Sequence, residues 1–198
     1  MAPRRASRET DLRRRPALRE PRDSFMVICE GKTEANYLVG LRRRGGPQIH
    51  VAVAKRSDAR CIVQEAAESS DSGYSEVWAV FDTECRDISA VSRDAAVKDV
   101  ALAVSHPCFE VWLLLHHKDH RAPFQSSQDA ADLLRRVTPR WAKGDGTRFT
   151  EFADGVDAAC ARAKKLDPSG KAHHLNPSTN VWMLVERLDV ARGPGERT

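Results

Sequence analysis

What this 198-residue chain lacks narrows its function first. No apolar stretch approaches the roughly 18 residues of a membrane span, and the run from Val111 to Leu115 has only five. The arginine-rich start is not followed by an apolar segment, so it does not read as a secretory leader. The five cysteines, Cys29, Cys61, Cys85, Cys108 and Cys160, are scattered and form no Cys-x-x-Cys pair. That argues against a zinc site or a disulfide frame and for free thiols in a reducing cytoplasm. Gly-x-x-x-x-Gly-Lys-Ser/Thr is absent, so the chain is not itself a P-loop ATPase. Gly-x-Ser-x-Gly is absent too, which sets aside a nucleophile-elbow hydrolase. There is no internal repeat.

A hydrophobic fraction of 41%, a charged fraction of 30% and a net charge of +4 describe one domain with a mildly basic balance. The expected division is a disordered basic tail at 1–22, an α/β core at 23–122, a helical extension at 123–190 and a second tail at 191–198. Residues 1–22 hold eight arginines against three acidic residues. They read as a solvated arm, or as an arm that meets nucleic acid.

Phe25 to Cys29 reads as a strand buried on both faces. Thr33 is read as the N-cap of a helix reaching about Arg43, where Gly45-Gly46-Pro47 stops it. Alternation at Ile49, Val51 and Val53 gives a second strand, and a helix from about Asp58 to Ser69 follows. Val77 to Phe81 is the third strand, 88–98 a helix, and Val100 to Val104 the fourth strand. Pro107 is read as opening a buried helix through about His117. Further helices are expected at 128–137, 149–166 and 178–188, with loops at 138–148 and 167–177. The order argues for an α/β domain, a largely parallel sheet of about four strands flanked by helices, with a helical C-terminal extension.

In a parallel sheet the C-terminal strand ends share one edge, and ligand sites form there. Glu30 follows the first strand, Asp82 and Glu84 the third, and His106 and Glu110 the fourth. Crowded carboxylates repel unless a cation binds or a proton is shared, and Mg²⁺ is the expected cation. Gly31, Lys32 and Thr33 offer backbone N–H groups and an ammonium to a phosphate. Glu34 and His106 are possible additions to the site. Glu110, in an otherwise apolar helix, must either face the site or pair with a lysine or arginine. His116 and His120 have helical metal-ligand spacing but no companion ligand, and His173-His174 reads as a loop. Trp78, Trp112, Trp141 and Trp182 read as core.

Three stretches resemble the RloB-like family: Val27-Ile-Cys-Glu-Gly-Lys-Thr-Glu-Ala-Asn-Tyr37, Ser105-His-Pro-Cys-Phe-Glu-Val-Trp-Leu-Leu-Leu-His116 and Asn176-Pro-Ser-Thr-Asn-Val-Trp-Met-Leu-Val185. The first stretch, with Asp82-x-Glu84, is also similar to the Toprim pattern of topoisomerases, primases and OLD-type nucleases, in which Glu follows the first strand and Asp-x-Asp the third. The resemblance implies a Toprim-like core, dependence on Mg²⁺ (or Mn²⁺), and cleavage of DNA or RNA in prokaryotic antiviral defence by abortive infection. It implies an AAA/ABC-type ATPase encoded alongside as partner, and leaves a homo-oligomer open. By position, Glu30 is then an acid/base or metal ligand and Asp82 a metal ligand, while Glu84 replaces the second Asp with a longer arm. The rival readings are a non-catalytic nucleic-acid-binding or regulatory subunit, and a small-molecule phosphotransferase on the same edge.

Overall fold

The computed structural model describes residues 23–42, 46–84 and 86–190. Both expected tails, Arg43 to Gly45, and Cys85 lie outside the described residues. The elements run β1 (Ser24–Cys29), α1 (Lys32–Gly40), β2 (Gln48–Val53), α2 (Ala59–Glu68), β3 (Glu76–Asp82), α3 (Ser89–Val97), β4 (Ala101–His106), α4 (Glu110–His117), α5 (Ser127–Val137), α6 (Val156–Leu166), β5 (Ser178–Thr179) and α7 (Val181–Val190). The sheet order is β2-β1-β3-β4-β5. The first four strands are parallel and β5 runs antiparallel to β4.

The two-residue period of the strands divides the core into two layers. Phe25, Val27 and Cys29 of β1, with Trp78 and Val80 of β3, face the cluster built with α1, α4, α5, α6 and α7. Ile28, with Val77, Ala79 and Phe81, faces α2 and α3. This is why β1 and β3 read as unbroken apolar runs: both of their faces are covered. α4 lies in the larger layer, with Trp112, Leu113 and Leu115 fully buried, and each such side chain contributes roughly 1.5–3 kcal/mol by leaving water. Asp58 caps α2, its carboxylate accepting from the N–H groups of Arg60 and Cys61. Ser126 caps α5 through the Asp129 N–H at 3.2 Å.

Several boundaries differ from the expectation for physical reasons. The sheet has five strands, because Ser178 and Thr179 pair with His106 and Ser105 before α7 begins. Asn180 locks that junction: its side chain accepts from the Val104 N–H and donates to the carbonyls of Leu102 and Gly170. Gly31, not Thr33, is the N-cap of α1, and the helix ends at Gly40. A Cβ at Gly40 would meet Phe149 at 2.0 Å, so the close approach of the 149 turn requires glycine there. Pro107 precedes α4, which begins at Glu110. The expected helix at 149–166 is two short 3-10 turns (Phe149–Glu151 and Ala153–Gly155) followed by α6.

Among the described residues, no helix is long and apolar enough to cross a membrane. Cys29, Cys61, Cys108 and Cys160 are free thiols. Trp78, Trp112 and Trp141 are buried, and Trp182 is half-buried under the Lys164 ammonium.

Candidate functional site

β1, β3 and β4 end side by side, and four carboxylates gather over their ends. Glu30 directly follows β1, Glu34 lies in the first turn of α1, Asp82 closes β3, and Glu110 opens α4. Glu30 Oε2 accepts the Asp82 N–H at 2.9 Å, which ties the first and third strand ends together through a side chain. Glu34 is 6% exposed and Glu110 1% exposed. Glu34 Oε2, Asp82 Oδ1 and Glu110 Oε2 are closed off from solvent without a hydrogen-bond partner. Glu110 Oε1 lies 2.9 Å from the ammonium of Lys143. Of the two readings left open for Glu110, the pairing with a lysine is present, and its carboxylate also lies close enough to Glu34 and Asp82 to act on them electrostatically.

The electrostatics follow from the crowding. Burial pushes the Glu34 carboxyl up to about 7, and the negative charges of Glu30 and Glu110 add to the effect. Asp82 is raised well above the usual carboxylate range by burial and then by Glu34, Glu110 and Glu30. Glu30 is raised by burial, partly offset by the bond from the Asp82 N–H. Lys143 lowers all three, so its positive charge serves the whole cluster. Crowded carboxyls of this kind repel one another, and a bound proton or a nearby positive charge relieves that repulsion.

The remaining sequence-predicted residues fall around this cluster. Glu84 does not join the buried set; it is half-exposed and pairs with Arg86 at 3.3 Å. Together with Glu30, Asp82, Thr83 and Arg86 it lines an open cavity of 180 Å³. Gly31 is extended at φ −144°, so its glycine is not required by backbone conformation; a Cβ there would approach Glu34 Oε2 to 3.1 Å. Lys32 pairs with Asp145 at 2.8 Å. The Thr33 hydroxyl accepts the Gly144 N–H at 2.8 Å. His106 is buried beside Thr83, Nδ1 to Oγ1 2.6 Å, and burial followed by the charge of His174 lowers its pKa.

His116 and His120 do not form a metal pair. His116 lies between the Tyr37 hydroxyl, 2.9 Å from Nε2, and the Trp112 carbonyl, 2.9 Å from Nδ1, and burial takes it down to about 4. His120 stacks on Phe124. His173 and His174 line a cavity of 470 Å³ with Arg86, Asp87 and Lys171, adjoining the carboxylate rim through Arg86 and Asp87. The residue that sequence reasoning missed is Lys143. Its only signal was indirect, in the need of buried Glu110 for a cationic partner.

A family model described as RloB-like protein matches residues 25–188. The chain belongs to the RloB-like family. No curated protein and no solved structure matches it. The family match runs from β1 into α7, so it takes in Glu30, Glu34, Asp82, Glu110 and Lys143 of this RloB-like chain alike.

Proposed function

We propose that this chain is a Toprim-like, Mg²⁺-dependent nuclease acting on DNA or RNA in prokaryotic antiviral defence, with an AAA/ABC-type ATPase as its controlling partner. The observation that carries the catalytic part is the convergence of Glu30, Glu34, Asp82 and Glu110 on one strand-end rim, with three carboxylate oxygens buried and unpartnered. The defence setting, abortive infection and the ATPase rest on the resemblance of the sequence motifs.

The donor chemistry fits a hard divalent cation, since the unpartnered oxygens at the rim are all carboxylate. Among the described residues, no group of three or more His, Cys, Asp or Glu makes a metal-holding set. Mg²⁺ needs no such cage, because it is commonly held by one or two carboxylates with water and substrate phosphate completing the sphere. Asp82 and Glu34 are the assigned ligands, with Glu30 beside them. Polarisation of a phosphoryl oxygen and activation of water are what the bound ion supplies. Glu30, the less buried carboxylate, borders the open cavity and is assigned the proton transfer at the reacting oxygen. Glu84 stands at the mouth of that cavity, with Arg86 positioned to meet the backbone of the substrate. Incubating wild type and Glu30→Gln with Mg²⁺ and DNA or RNA tests the assignment: cleavage is lost in the variant, and full activity there refutes the role of Glu30.

A second reading is a non-catalytic subunit whose rim binds nucleic acid or docks the ATPase. The ion pair of Lys143 with Glu110 favours it, because a cation already serves the carboxylates. It entails salt-sensitive binding without metal-dependent turnover.

A further inference from the structure

The Glu-Gly-Lys-Thr-Glu stretch does more than end a strand; it grips a turn more than a hundred residues away. The Thr33 hydroxyl accepts the Gly144 N–H at 2.8 Å, and the Asn36 amide donates to the Gly144 carbonyl at 3.1 Å. Lys32 adds an exposed ion pair to Asp145. Gly144 has φ +69°, a conformation that favours glycine, so the turn shape is itself written into the sequence. On its other side the turn is anchored in the core by buried Trp141, whose indole N–H donates to Thr147 Oγ1. The residue held between these two anchors is Lys143. Its stem comes in from solvent, with 59% of the side chain exposed, and its ammonium lies 2.9 Å from a carboxylate that is 1% exposed.

The geometry points to Lys143 as the positioning residue of the carboxylate site: its ammonium stands in the electrostatic place of the divalent cation, keeps Glu110 and its neighbours gathered, and is displaced when that cation binds. This rests on the reading of the rim as a cation site. Four acidic groups packed at strand ends need compensating charge or bound protons in the metal-free protein. The Lys143 ammonium pairs directly with Glu110, and its positive charge also reaches Glu30, Glu34 and Asp82. A fixed ammonium beside the ligands also repels an incoming divalent ion, so it raises the concentration of metal at which the site fills. Thr33 and Asn36 then act through Lys143, by fixing the turn that carries it.

The test is Mn²⁺ titration by calorimetry at neutral pH, together with thermal melting in chelator, for wild type, Lys143→Met, Lys143→Arg and Thr33→Val. Lys143→Met is expected to melt several degrees lower in chelator, to bind Mn²⁺ at least tenfold tighter than wild type, and to regain its melting temperature when Mn²⁺ is added. Lys143→Arg keeps the charge and stays within about threefold of wild type for Mn²⁺. Thr33→Val leaves the lysine in the chain but unpins its turn, and shifts Mn²⁺ affinity in the same direction as Lys143→Met by a smaller factor. A purely structural role lowers the melting temperature without moving Mn²⁺ affinity, so equal affinity in wild type and Lys143→Met overturns the inference alone. If Lys143→Met does not fold, unchanged Mn²⁺ affinity in Thr33→Val overturns it. Absence of Mn²⁺ binding in all four proteins overturns it together with the cation-site reading.

Discussion

Replacing Glu34 with glutamine is expected to stabilise the metal-free protein far more at pH 8 than at pH 5. In the fold, burial and the neighbouring carboxylates raise the Glu34 carboxyl from 4.5 to about 7. Between those values the folded chain binds the proton and the unfolded chain releases it, so stability falls as pH rises through that window. Each pH unit of the window is worth about 1.4 kcal/mol, and the ionised carboxylate therefore costs the fold about 3 kcal/mol at pH 8. For a chain of this length that corresponds to roughly 6–12 °C in melting temperature.

Wild type alone hides the effect, because His116 works in the opposite sense. Its imidazole is lowered from 6.5 to about 4, so its contribution to stability is lost as pH falls through that range. The difference between Glu34→Gln and wild type, melted in chelator at the two pH values, isolates the carboxyl. A gain of the same size at pH 5 and pH 8, or none at pH 8, refutes the picture of a buried, like-charged carboxylate.

Other outcomes follow from particular contacts. Glu30→Gln keeps an acceptor for the Asp82 N–H, so its melting temperature is expected near that of wild type while cleavage is lost; parallel melting and nuclease assays check both. Asn180→Ala strands the Val104 N–H and the Leu102 and Gly170 carbonyls and should cost about 3 kcal/mol or more in urea unfolding; a loss under about 1 kcal/mol contradicts its role as a lock. Gly40→Ala drives a methyl group into Phe149 and should lower stability by about 1–3 kcal/mol, read as a lower urea midpoint.

Much of this architecture was legible in residue pattern. The unbroken apolar runs of β1 and β3 announce strands covered on both faces, and parallel topology then carries Glu30 and Asp82 to one edge without knowledge of any contact. Glu110 is visible as an anomaly, an acidic residue in an apolar helix, whereas Glu34 carries no such signal, and the facing direction of both depends on packing. β5 escaped because two residues are too few to show alternation, and the apolar pattern of α7 absorbed them. Lys143 escaped for a different reason. A loop lysine carries no periodic signal, and what places it is a set of hydrogen bonds from Thr33 and Asn36 across more than a hundred residues. Glu84 shows what a motif position leaves unsaid about a local turn: with φ +47° its residue leaves the strand line and its side chain meets Arg86 at the edge of the cavity it shares with Glu30 and Asp82.

The most direct measurement is calorimetric Mg²⁺ binding to wild type and to Asp82→Asn. Binding in wild type that is abolished in the variant, while both melt cooperatively, is the expected result and places the cation on the strand-end carboxylates. Undiminished binding in Asp82→Asn, or none in wild type, contradicts a cation site at that rim.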